Sequence, residues 1–62
     1  MEWPEYCYVT NYETGFRAEV QNKDGEVKRK EFRDKGEALG WATTWGIMLG
    51  VTPRGGARFI QS

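Results

Sequence analysis

The stretch Phe16-Arg17-Ala18-Glu19-Val20-Gln21, then Asn22-Lys23-Asp24-Gly25, then Glu26-Val27-Lys28-Arg29-Lys30-Glu31-Phe32 decides the fold. Its first six residues alternate, with Phe16, Ala18 and Val20 on one face and Arg17, Glu19 and Gln21 on the other. That is the pattern of a half-buried strand. Asp24-Gly25 is a hairpin signal, because glycine supplies the positive φ that tight turns need. The last seven residues read as the return strand, with one conflict. Val27 and Phe32 are five apart, so strict alternation sends them to opposite faces. A bulge at Arg29-Lys30 would bring both inward. With a four-residue turn, Val20 then pairs with Val27 and Phe16 with Phe32. Glu19 faces Lys28 and Arg17 faces Glu31, on the outer side, as favourable opposite-charge pairs.

Before this hairpin, Tyr6-Cys7-Tyr8-Val9-Thr10-Asn11-Tyr12 is β-branched and aromatic and reads as a strand. Tyr6, Tyr8 and Tyr12 share one parity. A three-residue loop at Glu13-Thr14-Gly15 would pair Tyr12 with Phe16 and turn the tyrosines inward, onto Trp41 and Trp45. A two-residue loop would pair Val9 with Val20 and turn them outward, as a binding stripe. Both readings stand at this point.

After the hairpin, Asp34 and Glu37 have the spacing of a capping box. Ala38, Leu39, Trp41, Ala42, Trp45 and Met48 or Leu49 recur at helical spacing. The spacing predicts a helix from about Lys35 to Gly46–Gly50, with Leu39, Trp41 or Ala42, and Trp45 facing the sheet. Gly40 is expected where helix and sheet approach closely, and Trp3 at one end of the core. Residues 57–61 can form one more short strand, on the sheet edge or against another chain. The expected fold class is therefore α+β, an antiparallel sheet of three to four strands packed against one α-helix.

The chain has 62 residues, and residues 1–62 are read as a single domain. A domain this small buries only about 60% of its unfolded surface, so its aromatic residues carry much of the core. There is one cysteine and no histidine. An internal disulfide is excluded, and so is a Cys/His zinc site within one chain, because such a site takes four ligands. Cys7 has no histidine to act as its base and reads as a small strand hydrophobe. The carboxylates Glu19, Glu26 and Glu31 interleave with basic residues, as in surface ion pairs. The expectation is a protein that is not an enzyme and takes no cofactor and no metal. The acidic start and the lack of an apolar run near ~20 residues point to a cytoplasmic protein that does not enter a membrane.

Nine Lys and Arg balance nine Asp and Glu, so the net charge is zero. The distribution is uneven: residues 16–35 hold seven basic and five acidic groups. Phosphate contacts dominate nucleic-acid affinity, so interleaved acids weaken a DNA reading and favour protein contact. The open sheet face is the expected contact surface. Arg17, Glu19, Lys28, Arg29 and Lys30 are placed there, with Tyr6 and Tyr8, and the tail adds Arg54 and Arg58. The helix is expected to keep little apolar surface for recognition.

Two resemblances cover about half the chain. The segments Gly15–Val20, Asp24-Gly25, Phe32, Lys35–Leu39 and Trp41-Ala42 resemble the arm-binding domain of phage tyrosine integrases, itself similar to plant AP2 domains. That resemblance implies three antiparallel strands, a helix, and DNA read by the open sheet face. Tyr12, Ala18-Glu19-Val20, Asp24-Gly25, Glu31-Phe32, Glu37, Leu39 and Trp41 are similar, in order, to a small phage anti-CRISPR protein that blocks type I complexes. That one implies a non-catalytic inhibitor whose partner is a host protein, a Cas subunit, with target DNA kept out. The expected function is such an inhibitor in the host cytoplasm. The alternative is a DNA-binding regulator, with duplex DNA the less favoured partner. An edge strand also offers a route to a homodimer.

Overall fold

A computed structural model describes residues 2–51 and 55–61. The order is β1 (Tyr6–Tyr12), β2 (Gly15–Gln21), β3 (Val27–Phe32), α1 (Lys35–Leu49) and β4 (Arg58–Ile60). The strands form one sheet in the order β3-β2-β1-β4, with α1 laid on one face. The α+β fold expected from the sequence is present.

The β1–β2 loop is the two-residue form. Tyr12 pairs with Gly15, and Glu13 takes a left-handed φ of 54°. This places Cys7, Val9 and Asn11 on the helix side, with Cys7 opposite Val20 and Val9 opposite Ala18. The pairing of Val9 with Val20 does not occur. Tyr6, Tyr8 and Tyr12 take the other side, so the outward reading holds. Gly15 is required for a steric reason, since a Cβ there would overlap the Phe32 carbonyl oxygen.

The β2–β3 turn corrects the expected register. Gln21 pairs with Val27, Glu19 with Arg29, Arg17 with Glu31 and Phe16 with Phe32, with no bulge at Arg29-Lys30. The irregularity lies in the turn. The Asn22 N–H donates to the Glu26 carbonyl at 3.1 Å, so Asn22 and Glu26 continue the register and only Lys23-Asp24-Gly25 form the loop. Gly25 supplies the left-handed residue at φ 87°. This is a three-residue hairpin loop with a glycine bulge. Strict alternation then applies along β3, and Val27 faces outward, 42% exposed, while Phe32 packs on Trp41. Lys28 pairs with Val20 and Lys30 with Ala18, so both lysines are on the helix side of the sheet.

The N-cap of α1 is Asp34, whose carboxylate accepts from the Glu37 N–H at 2.9 Å. Gly50, at φ 77°, ends it in a left-handed cap. The residues of α1 buried on the sheet are Ala38, Ala42 and Gly46. They recur every four residues and let the helix axis come close to Val9, Ala18 and Val20. Trp41, Trp45 and Leu39 are pushed to the flanks and stay half-buried. Gly40 is exposed and meets nothing, so the close approach expected there does not occur, and the buried glycine of α1 is Gly46. Trp3 is not at the end of the core. Its ring lies against Gly25, and its backbone N–H donates to the Lys23 carbonyl at 2.9 Å.

Because α1 reverses the chain after β3, β4 runs in the direction of β3, which is also that of β1. It joins β1 as a parallel edge strand, Val9 beside Phe59. The sheet is therefore mixed, although mostly antiparallel. The Ala57 N–H donates to Thr43 Oγ1 at 2.9 Å and ties β4 to the helix.

Asn22 is 5% exposed, and its Oδ1 accepts from the Asp24 and Glu26 N–H groups at 3.0 and 2.9 Å. Asn22→Ala leaves both donors short of an acceptor and should cost about 1–3 kcal/mol. For a domain of this size that lowers Tm by roughly 4–8 °C per kcal/mol. Asn22→Asp keeps an acceptor oxygen and should lose less, as thermal melts of the two variants will show.

Candidate functional site: the open sheet face

With α1 on one side, no element among the described residues covers the other face of the sheet. Strand parity places Tyr6, Tyr8, Thr10 and Tyr12 there from β1, and Arg17, Glu19 and Gln21 from β2. It adds Val27, Arg29 and Glu31 from β3, and Arg58 and Ile60 from β4.

These side chains are tied together. Tyr8 Oη donates to Glu19 Oε1 at 2.9 Å, and Arg29 Nε donates to Glu19 Oε2 at 2.7 Å. Glu19 thus links β1 to β3 across β2, and its side chain is mostly buried beneath them. Tyr6 stacks on Tyr8 at a centroid distance of 5.2 Å and donates to Gln21 Oε1 at 3.2 Å. Gln21 Nε2 donates in turn to the Pro4 carbonyl at 2.7 Å. Near the hairpin end, Arg17 pairs with Glu31 at 3.1 Å and lies 3.7 Å over the Tyr12 ring. A shallow open depression of about 380 Å³ adjoins this cluster, lined by residues that include Tyr12, Gly15, Glu31 and Arg33.

The result is a pre-ordered surface on which Arg17 and Arg29 are each held by a carboxylate, with apolar Val27 and Ile60 on the same face. Exposed ion pairs contribute only about 0–1 kcal/mol to stability. Their chief effect here is to hold long side chains in one geometry, which lowers the entropy lost when a partner docks.

Of the residues singled out from sequence, Tyr6, Tyr8, Arg17, Glu19, Arg29 and Arg58 share this face. Lys28 and Lys30 do not, because the three-residue loop moves them to the helix side. Arg54 lies outside the described residues. Tyr12, read with Tyr6 and Tyr8 as one stripe, is on this face as well, whereas Gln21, Val27 and Ile60 were not among the expected site residues, and strand parity was the only signal for them. The helix also keeps more exposed apolar surface than expected, since Ile47 and Met48 are 64% and 65% exposed. Cys7 is half-buried under α1, and its thiol donates to the Ala42 carbonyl at 3.2 Å, which suits the role of a small hydrophobe. Among the described residues no helix is long and apolar enough to cross a membrane.

Comparison with known proteins finds no matching family model, no matching curated protein and no matching solved structure.

Burial raises the Tyr8 phenol above its ordinary value, helped by its hydrogen bond to Glu19 and by the charge of that carboxylate. The folded state therefore favours neutral Tyr8. Its contribution is complete below the ordinary tyrosine pKa of about 10 and is lost as pH rises through the higher folded value. Stability should fall with pH above about 10 more steeply in the wild type than in Tyr8→Phe. Denaturant titrations at stepped alkaline pH will check this, and parallel slopes would contradict it.

Proposed function

We propose that this chain is a small non-catalytic binding protein of phage or mobile-element origin whose open sheet face docks on a host protein complex. In its sharpest form it is an anti-CRISPR that engages a Cas subunit of a type I complex in the host cytoplasm and keeps target DNA out. One observation carries the reading: the face is pre-ordered, rich in tyrosine and arginine, and mixed in charge. Tyrosine and arginine are enriched among interface anchors, while alternating charges set register and exclude wrong partners.

A second reading, a DNA-binding module of integrase-arm type, is favoured by the presence of Arg17, Arg29 and Arg58 on that same face. Against it, Arg17 and Arg29 each contact a carboxylate. A phosphate backbone would have to displace Glu31 and Glu19 to reach them, and would meet the carboxylates at close range.

The deciding experiment is capture of partners from a bacterial lysate carrying a type I system, with and without nuclease. A Cas subunit retained after nuclease treatment is the expected result. Arg17→Glu with Arg29→Glu should weaken that capture at least about tenfold, more than 1.4 kcal/mol, with the fold intact. Thr44→Glu, on the exposed side of α1, should leave it unchanged. Wild type should protect phage from the CRISPR system and the double variant should not. Submicromolar duplex binding with a steep salt slope would instead favour the DNA-binding reading.

A further inference from the structure

We propose that the seam between β3 and α1, on the face opposite the candidate site, is a second binding surface that takes single-stranded nucleic acid. Three aromatic rings line this seam in succession. Phe32 is 5.7 Å from Trp41, and Trp41 is 6.4 Å from Trp45, centroid to centroid. All three are half-buried, because Ala38, Ala42 and Gly46 fill the space beneath the helix and leave the large rings at its flank. Two lysines reach into the same row. Lys28 Nζ lies 4.4 Å from the Trp45 ring centroid and Lys30 Nζ 5.4 Å from that of Phe32.

The charge environment separates these lysines from Arg17 and Arg29 on the other face. Arg17 and Arg29 each hold a carboxylate, whereas among the described residues Lys28 and Lys30 make no ion pair. The carboxylate of this helix stripe is Glu37, one turn before Trp41. It is exposed and in contact with neither lysine among the described ion pairs. Glu31, the acid of β3, points to the opposite face.

A row of partly open aromatic rings with unneutralised ammonium groups on it suits a ligand that is both anionic and flat-faced. Single strands have both properties. Their bases stack on tryptophan without regard to sequence, and their phosphates take lysines as point charges. A duplex hides its base faces and would gain only the two charges. The overall neutrality of the chain does not oppose this, because Glu2, Glu5 and Glu13, which precede β2, balance a net excess of three basic groups in residues 16–62.

The test is tryptophan fluorescence of the full chain titrated with an oligothymidylate of about ten nucleotides, within the usual span of such sites. A duplex of equal length, inorganic phosphate and anionic lipid vesicles run beside it. Quenching by the single strand is expected at about 1–100 μM and low salt, tighter than by any of the other three. The slope of log K against log salt should lie near about −1.4 for two lysine contacts on a single strand. Lys28→Ala with Lys30→Ala should weaken binding at least about tenfold and flatten that slope. Trp45→Leu should weaken binding with the slope retained. Arg17→Glu with Arg29→Glu should leave single-strand binding intact, and the lysine pair variant should leave partner capture intact, so this site and the open face stand or fall separately. Equal or tighter binding of duplex, vesicles or phosphate would overturn the assignment. So would a folded lysine variant that binds as the wild type does.

Discussion

The buried Asn22 side chain is the constraint on which the rest of the molecule depends. By accepting two N–H groups with one oxygen, it closes the β2–β3 turn over three residues. An added residue in that loop would shift β3 by one position, and in a strand a shift of one exchanges the two faces. Lys28 and Lys30 would then face outward, and Arg29 and Glu31 would go under the helix. Phe32 would leave the core, and Glu19 would lose Arg29 as its partner. Trp3, lying on Gly25, shields the outside of the same turn.

The helix adds a second constraint through residue size. A stripe of Ala38, Ala42 and Gly46 draws α1 down onto Val9, Ala18 and Val20. Close approach leaves no room beneath the helix for a large side chain, so the tryptophans sit along its edge. Trp41 closes one flank together with Phe32. On the other flank Phe59 packs on Phe16, and Thr43 holds the segment that enters β4. The core is thus built of small residues in its middle and is aromatic at its margins. In so short a chain this keeps the packing dense while leaving aromatic surface partly open.

The two faces of the sheet use charge differently. On the open face, arginine meets carboxylate through strand pairing: Arg17 opposite Glu31, and Arg29 opposite Glu19. On the helix face the lysines lie over aromatic rings, where the face of the π-system takes the place of a counter-ion. One tripeptide, Lys28-Arg29-Lys30, therefore serves both sides, and its basic run in the sequence is not a basic patch in the structure.

Several features follow from the residues alone. Alternation in Phe16–Gln21, the Asp24-Gly25 turn, the Asp34 cap and the apolar spacing of Ala38–Leu49 are local signals, and each corresponds to an element that formed. The pairing of Arg17 with Glu31 and Phe16 with Phe32 was legible too, because large apolar and opposite-charge residues demand such partners. The rest was decided by tertiary structure. Whether the turn took three residues or four depended on burying Asn22, which no neighbouring residue reveals. Whether the tyrosines turned in or out depended on a two-residue loop at Glu13-Thr14 and on which side the helix lay. The parallel direction of β4 followed from the helix having reversed the chain. Parity along a strand is local, but its phase relative to the core is set by contacts between residues far apart in sequence, and only the folded chain brings those together.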